Sequence, residues 1–106
     1  MSRILEEARA IQNEIINNRR YLHQHAELGD NLTITTKYVV EKLEEMGYEP
    51  QIIANSAVVA LVGGKKDGKT FLLRADMDAL PIKEENDLEY KSKTDFMHAC
   101  GHDTHT

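Results

Sequence analysis

The 106-residue chain has one cysteine, no tryptophan and two prolines. A lone cysteine, Cys100, cannot form a disulfide within the chain, which is typical of proteins from a reducing compartment such as the cytoplasm. No apolar run approaches the roughly 20 residues that a membrane span needs, so we expect no membrane segment. Two acids, Glu6 and Glu7, stand where a secretory signal peptide needs an apolar core, so we expect no export signal.

The chain also lacks an excess of basic residues. Thirteen Lys and Arg against eighteen Asp and Glu give a formal net charge of −5. Because nucleic-acid binding needs a basic face, this composition argues against a nucleic-acid partner. Hydrophobic residues make up 41% and charged residues 29% of the chain, as in a soluble globular protein. The length allows one small domain, which would be marginally stable by itself.

The first half of the sequence predicts two helices. An apolar stripe at helical spacing indicates a helix that begins after Ser2 and runs to about His25. This stripe consists of Ile4, Ala8, Ile11 and Ile15. A second helix is expected from Thr33, and Gly47 would end it because glycine readily adopts the left-handed conformation. Its apolar residues are Val39, Val40, Leu43 and Met46.

The middle of the sequence predicts strands. Residues 51–53 form a short candidate strand, and residues 57–62 and 70–75 form two apolar candidates joined by a turn-rich loop at 63–68. Apolar strands of this kind belong to sheets that helices cover on both faces. We therefore expect an α/β fold with three layers. Residues 83–94 hold seven charged side chains and predict an exposed excursion.

Two acids follow the last predicted strand directly. Asp76 and Asp78 are two positions apart, so in extended backbone their side chains lie on the same side. Two neighbouring carboxylates repel one another unless a cation lies close by, and ligands of α/β sheets commonly bind at strand ends. A metal ion or a histidine could provide that positive charge. The alternative is a pair of solvated loop acids with Arg74 as counter-ion.

The last nine residues concentrate metal-ligand chemistry. Five side chains that could bind or orient a metal occur within eight positions: His98, Cys100, His102, Asp103 and His105. The spacing of Cys100 and His102 is tighter than in a structural zinc pair of the Cys-x-x-Cys kind. It favours two donors on an irregular loop, with further ligands from elsewhere, and Gly101 would let the backbone approach an ion closely. The alternative is a polar tail with an incidental thiol.

Other candidates carry less weight. His23 and His25 diverge on a helix, so they cannot readily share one ion and are expected to be surface or capping residues. Gly63 and Gly64 lack the further residues of a nucleotide-binding loop. Cys100 could instead be a redox-sensing thiol activated by a neighbouring histidine.

Four segments of the chain, in this order, resemble the amidohydrolase branch of the dinuclear metallopeptidases related to aminoacylase and glutamate carboxypeptidase. They are RRYLH (19–23), ELG (27–29), RADMDALP (74–81) and MHACGHDTH (97–105). The branch includes hippurate hydrolase, N-acyl-amino-acid amidohydrolases, N-acetyl-diaminopimelate deacetylase and the plant auxin-conjugate hydrolases. The family usually has proline at Ala26 and often glutamate at Leu32, and neither position is a metal ligand.

The resemblance implies a zinc-peptidase-like α/β/α catalytic domain, with two divalent ions (zinc, manganese, cobalt or nickel) between it and a smaller inserted dimerisation or lid domain. Cys100 and His102 match the metal ligands of this branch, and Asp78 matches an acid that supports the site. The residues that could surround these ligands are Asp76, Asp103 and His105.

The implied reaction is hydrolysis of the amide bond of N-acyl amino acids or small peptides by metal-activated water, with a glutamate as general base. The family places that glutamate in a Glu-Glu pair after the Cys-Gly-His-Asp segment. The Glu pairs of this chain, 44–45 and 84–85, both precede that segment. We therefore expect residues 1–106 to form the N-terminal part of the catalytic domain, without the rest of it or the inserted domain, and to be inactive alone.

The alternative is a self-contained small metal-binding or interaction module without catalysis. Incomplete sheet edges count against this alternative and favour self-association of the chain.

Overall fold

A computed structural model describes residues 2–64 and 66–106; Lys65, in the predicted loop 63–68, and Met1 lie outside the described residues. The elements in chain order are α1 (Ser2–Ala10), α2 (Gln12–Gln24), α3 (Thr33–Glu45), β1 (Gln51–Ile53), β2 (Ala57–Val59) and a 3₁₀ turn (His102–Thr104). Across the described ranges, no helix combines the length and apolar character needed to cross a bilayer.

The first predicted helix is two helices in the structure. Ile11 separates α1 from α2 with φ −106° and ψ 10°, and its N–H donates to Ala8 O at 3.3 Å as in a tight turn. The apolar stripe could not keep the helix continuous, since α1 buries none of its residues. The predicted end near His25 is confirmed: His25 caps α2, and its N–H donates to Tyr21 O at 3.2 Å.

Helix α3 begins and ends where the sequence predicts. Gly47 has φ +91°, and its N–H donates to Glu44 O at 2.9 Å. The N–H of Tyr48 donates to Leu43 O at 3.0 Å, which completes the hydrogen-bond pair of a Schellman motif. The chain therefore leaves α3 in a direction that depends on the left-handed conformation of Gly47.

The sheet is a hairpin of β1 and β2, antiparallel, with Ile52 opposite Val58. The short candidate at 51–53 is confirmed, whereas the predicted strand 57–62 forms only over Ala57–Val59. In the turn, Ser56 Oγ accepts the N–H of Leu32 and donates to Asp30 O, both at 2.7 Å. This hydroxyl connects the hairpin to the loop that precedes α3.

The prediction of a return strand at 70–75 is wrong for this structure. Phe71, Leu72 and Leu73 are 87%, 93% and 96% exposed, and the segment forms no strand. A strand needs a partner for its backbone N–H and C=O groups, and none of the described segments pairs with this one.

The buried interior is small and largely polar, and it lies where the end of α2 and the start of α3 meet residues 79–103. Its apolar members are Leu22, Ala26, Leu32 and Ala79. Its polar and charged members are His23, Thr35, Thr36, Ser56, Glu84, His98 and Asp103.

The prediction of an exposed excursion at 83–94 is wrong in one important respect. Glu84 is buried, and the excursion is attached to the end of α2. Lys93 N–H donates to Gln24 O at 2.9 Å, and Thr94 Oγ1 donates to Ala26 O at 2.7 Å. Most of the charged side chains in the excursion do face solvent.

We expect Gly47→Ala to lower the free energy of unfolding by about 1 to 2 kcal/mol, because an L-residue is strained in the left-handed region. A Cβ at Gly47 would meet no atom within 4 Å, so the loss reports backbone strain alone. Gly68→Ala is the matched control, since Gly68 also has open space but no positive φ. Urea denaturation of both variants checks this, and equal losses would contradict it.

Candidate functional site

The two residues that follow the acidic segment 76–78 are held by backbone hydrogen bonds to two different parts of the chain. Ala79 N–H donates to Glu27 O at 2.7 Å, and Leu80 forms an antiparallel bridge with Met97 through bonds of 2.9 and 3.1 Å. The bridge brings the strand-like segment that ends at Asp78 beside the segment that leads to the 3₁₀ turn. The two motifs at 74–81 and 97–105 are thereby neighbours in space.

Glu27 links this site to helix α3. Its carboxylate accepts the N–H groups of Thr35 at 2.6 Å and Ile34 at 3.0 Å, at the helix N-terminus, where an anion is favoured. Its carbonyl accepts the N–H of Ala79. Sequence reasoning saw only a turn at residues 28–31, because a cap supplied from six residues before the helix leaves no local pattern.

His102 is oriented by Asp78. Its Nδ1 lies 2.9 Å from Asp78 Oδ1 and 3.0 Å from Asp78 O, so Nδ1 is the ring donor. The hydrogen bond to the Asp78 carboxylate, together with the nearby charge of Asp76, raises the pKa of His102. With the proton on Nδ1, the neutral ring keeps its Nε2 lone pair for a ligand.

Asp76 lies on the other side of the His102 ring. Its Oδ2 is 3.5 Å from His102 Nε2, and its Oδ1 accepts a hydrogen bond from His105 Nδ1 at 2.8 Å. The bond from His105 is the main cause that lowers the pKa of Asp76; burial opposes it, and His102 and Arg74 assist it. Arg74, the counter-ion of the alternative interpretation, is farther away at 3.6 Å.

Cys100 is exposed, and it precedes the 3₁₀ turn by two residues. Gly101, between Cys100 and His102, has φ +79°, so the turn begins in the left-handed region. A thiol and an imidazole whose Nδ1 is held by a carboxylate fit a zinc-like divalent ion in their chemistry. Within residues 2–64 and 66–106, however, no three His, Cys, Asp or Glu side chains form a group that could hold a metal ion.

Asp103 belongs to a second, buried group of charges. Its Oδ2 accepts hydrogen bonds from Arg19 Nε at 2.9 Å and His23 Nδ1 at 2.8 Å. The other ring nitrogen of His23 lies 2.9 Å from Glu84 Oε1. Ionised carboxylates only accept, so both ring nitrogens donate and His23 is an imidazolium. We call Arg19, His23, Glu84 and Asp103 the buried ion network.

The prediction that His23 is a surface or capping residue is therefore wrong, while the same prediction for His25 is confirmed. Arg19 and His23 are four residues apart and share one face of α2. That spacing was visible in the sequence, but the two carboxylates come from segments 61 and 80 residues away from His23 and gave no signal.

Glu84 has the largest fully buried side chain among the described residues. Burial by itself would raise the pKa of Glu84, but hydrogen bonds from the Ser92 N–H, the Asn86 side chain and the His23 ring outweigh it and lower the pKa. Glu84 is thus held ionised by three donors. Tyr90 covers the network, with its ring edge-to-face on His23 at 5.6 Å.

His98 is buried beside the network, and neither of its ring nitrogens has a hydrogen-bond partner. Burial is the main cause that lowers the pKa of His98, and the charges of His23 and His102 add to it. Asp103 Oδ1 is also buried without a partner.

Comparison with known proteins gives a consistent result. The profile of peptidase family M20/M25/M40 matches residues 72–106. Thermostable carboxypeptidase 1 of Saccharolobus solfataricus is 45% identical over 108 residues, which cover 99% of this chain and 28% of that protein. The N-acetylcysteine deacetylase of Bacillus subtilis is 45% identical over 92% of this chain and 27% of its own length. This chain is a relative of the M20 peptidases.

Further M20 relatives agree. The N-acyl-L-amino acid amidohydrolase of Geobacillus stearothermophilus is 43% identical over 91% of this chain and 26% of its own length. The crystal structure of a dinuclear metal-binding M20 peptidase from Bacillus subtilis matches with a TM-score of 0.83 at 42% identity, over 90% of this chain and 28% of that one. A putative aminohydrolase from methicillin-resistant Staphylococcus aureus matches with a TM-score of 0.89 at 37% identity, over 98% and 28%.

These structures confirm the predicted fold class: the chain folds as the N-terminal part of M20 peptidase structures do. The chain spans about a quarter of the length of the curated M20 relatives it matches. The described three helices and two strands correspond to that part alone.

The structure brings most of the predicted site residues together, but they form two separate groups of contacts. Four of them form one hydrogen-bonded or ion-paired group: Asp76, Asp78, His102 and His105. Asp103, which follows His102 directly, instead enters the buried ion network. The 3₁₀ turn is thus held from both sides.

We expect Glu84→Gln to lower the free energy of unfolding by about 1 to 3 kcal/mol at pH 7, through loss of charge-assisted hydrogen bonds in a buried site. Because the folded-state pKa of Glu84 is lowered from 4.5, its contribution is present above that value and is lost as the pH falls through the folded-state pKa. The gap between wild type and variant should therefore narrow in urea titrations below pH 4.5.

Glu85→Gln is the control, because Glu85 is exposed on the same segment and should leave stability unchanged. A gap between wild type and Glu84→Gln that stays constant from pH 7 to low pH would contradict the assignment.

Proposed function

We propose that this chain supplies part of the metal site of an amidohydrolase that cleaves the amide bond of N-acyl amino acids or small related peptides. The observation that carries the proposal is the hydrogen bond between His102 Nδ1 and Asp78. This bond leaves the lone pair of His102 Nε2 free to bind a metal ion, two residues after Cys100. The substrate class is supported by the relatives named N-acetylcysteine deacetylase and N-acyl-L-amino acid amidohydrolase.

Cys100 and His102 would hold a divalent ion, and a second ion is supported by the dinuclear peptidase among the structural neighbours. Zinc, manganese, cobalt and nickel all suit thiolate and imidazole donors, because affinity order alone does not decide which ion a protein carries. A bound divalent ion would polarise the amide carbonyl and lower the pKa of a water molecule.

The acids of this chain have distinct tasks in this proposal. Asp78 keeps the proton on Nδ1 of His102 and fixes the orientation of the ring. Asp76, ionised and held by His105, places a negative charge 3.5 Å from Nε2, which favours a cation there. Neither acid is placed to act as the general base, which we assign to a glutamate outside this chain.

We further propose that residues 1–106 are the N-terminal part of a larger catalytic domain and are inactive alone, and that an inserted domain belongs to the same protein. The coverage of about a quarter of each M20 relative supports this. The exposed apolar segment 71–73 supports self-association into a homo-oligomer. The single unpaired Cys100 supports a cytoplasmic location.

The deciding experiment is the intact mass of the native protein from its source, followed by an assay on N-acyl amino acids with added metal. We expect a mass several times 12.1 kDa and metal-dependent hydrolysis by the native protein, with no hydrolysis by the 106-residue chain. A native mass near 12.1 kDa with metal bound but no hydrolysis would replace the enzyme with a self-contained metal-binding module.

We expect Asp78→Asn to weaken zinc binding about 10- to 100-fold, as loss of a partner of a ligating histidine does in other metal sites. Competition with a chromophoric chelator measures this on the 106-residue chain. Asp87→Asn is the matched control, because Asp87 is an exposed acid on the excursion. Equal affinities of the two variants would remove Asp78 from the site.

A further inference from the structure

His102, one of the two metal ligands proposed above, is the first residue of the 3₁₀ turn, and Cys100 precedes the turn by two residues. The next residue of the turn, Asp103, is held by other contacts. His102 contacts Asp78, whereas Asp103, the next residue, contacts Arg19 and His23 of α2. The position of His102 therefore depends on where Asp103 is held. The function proposed above does not use any group of α2.

His23 has the geometry of a rigid connector. Its two ring nitrogens lie 2.8 Å from Asp103 Oδ2 and 2.9 Å from Glu84 Oε1, and its exposed fraction is 4%. The imidazolium ring presents two N–H donors in a fixed geometry, because the ring that carries them is planar and rigid. One ring thus sets the spacing between the 3₁₀ turn and the excursion that carries Glu84.

The carboxylates at both ends of this connector are strongly confined. The side chains of Asp103 and Glu84 are 0% and 1% exposed, so neither can exchange its partners for water. A buried carboxylate that loses a charged partner is left uncompensated, which is costly. Arg19 alone, partly exposed and bonded to the same oxygen of Asp103, does not reach Glu84.

We propose that His23 is a positioning residue of the metal site: it holds Asp103, and through it the turn that carries His102 and follows Cys100. This inference rests on the proposed function and adds a residue of α2 to it. His23 touches no proposed metal ligand. Its effect is to keep the His102 ring where Asp78 can hold Nδ1.

The test compares His23→Gln with His25→Gln in the 106-residue chain. Gln can bond one carboxylate but not both, while His25 bonds only Tyr21 O of its own helix. Cobalt(II) is the probe, since its thiolate absorption band reports Cys100. We expect cobalt affinity about 10- to 100-fold weaker in His23→Gln and unchanged in His25→Gln. Cys100→Ser, which should remove the band, verifies its origin.

A second readout needs no metal. Long-range ¹H–¹⁵N spectra at neutral pH give the ratio of the Nδ1–H to the Nε2–H form in the neutral fraction of the His102 ring. We expect this ratio to fall on the order of tenfold in His23→Gln, because His102 loses its fixed contact with Asp78. It should stay at the wild-type value in His25→Gln.

The two readouts separate the two proposals. A wild-type chain without a Cys100-dependent cobalt band would overturn the proposed metal site, and the His102 ratio would still decide the role of His23. A His23→Gln chain that keeps both the wild-type ratio and the wild-type cobalt affinity overturns the positioning role.

Asp103→Asn keeps the inference testable if His23→Gln does not fold. It preserves the shape of the side chain and removes its charge, and Asp95→Asn is its exposed control. We expect the same loss of the His102 ratio in Asp103→Asn as in His23→Gln. A folded Asp103→Asn chain with a wild-type ratio overturns the positioning role as well.

Discussion

The arrangement of this chain depends on the imidazolium of His23 and its two buried carboxylates. The apolar interior is too small to hold the segments together by area alone, since Leu22, Ala26, Leu32 and Ala79 are the only buried hydrophobic residues among residues 2–64 and 66–106. The hydrogen bonds of the buried ion network fix the relative positions of these segments, because hydrogen bonds between charged groups are directional and apolar contacts are not. The result is a junction between α2, the excursion and the 3₁₀ turn that has one geometry.

Glu27 plays the corresponding part for α3. Its carboxylate binds the N-terminus of that helix while its carbonyl binds Ala79, one residue after Asp78. A single residue thus couples the placement of α3 to the placement of the acidic segment. The contacts of Glu27 and of His23 both position the region around His102. This region lies within residues 72–106, which the profile of peptidase family M20/M25/M40 matches.

The exposed segment 71–73 stands in contrast to this junction. Its apolar side chains meet no partner among the described residues, although the same residues read as a buried strand in the sequence. The apolar and β-branched residues of a segment indicate only that it could form a strand. The strand forms when a second strand binds its backbone N–H and C=O groups.

The sequence by itself determined the elements whose signals are local. Helix α3 ends before Gly47 because the left-handed conformation at the end of a helix is favoured by glycine itself, whatever lies elsewhere in the chain. The sequence also indicated the family, because the acidic segment and the Cys-Gly-His-Asp segment are distinctive sequence motifs. Tertiary structure alone decided that Asp78 pairs with His102 and that Asp103 faces away into the network. It also decided that His23 and Glu84 are buried, because their partners lie tens of residues away and long-range pairing leaves no periodicity to read.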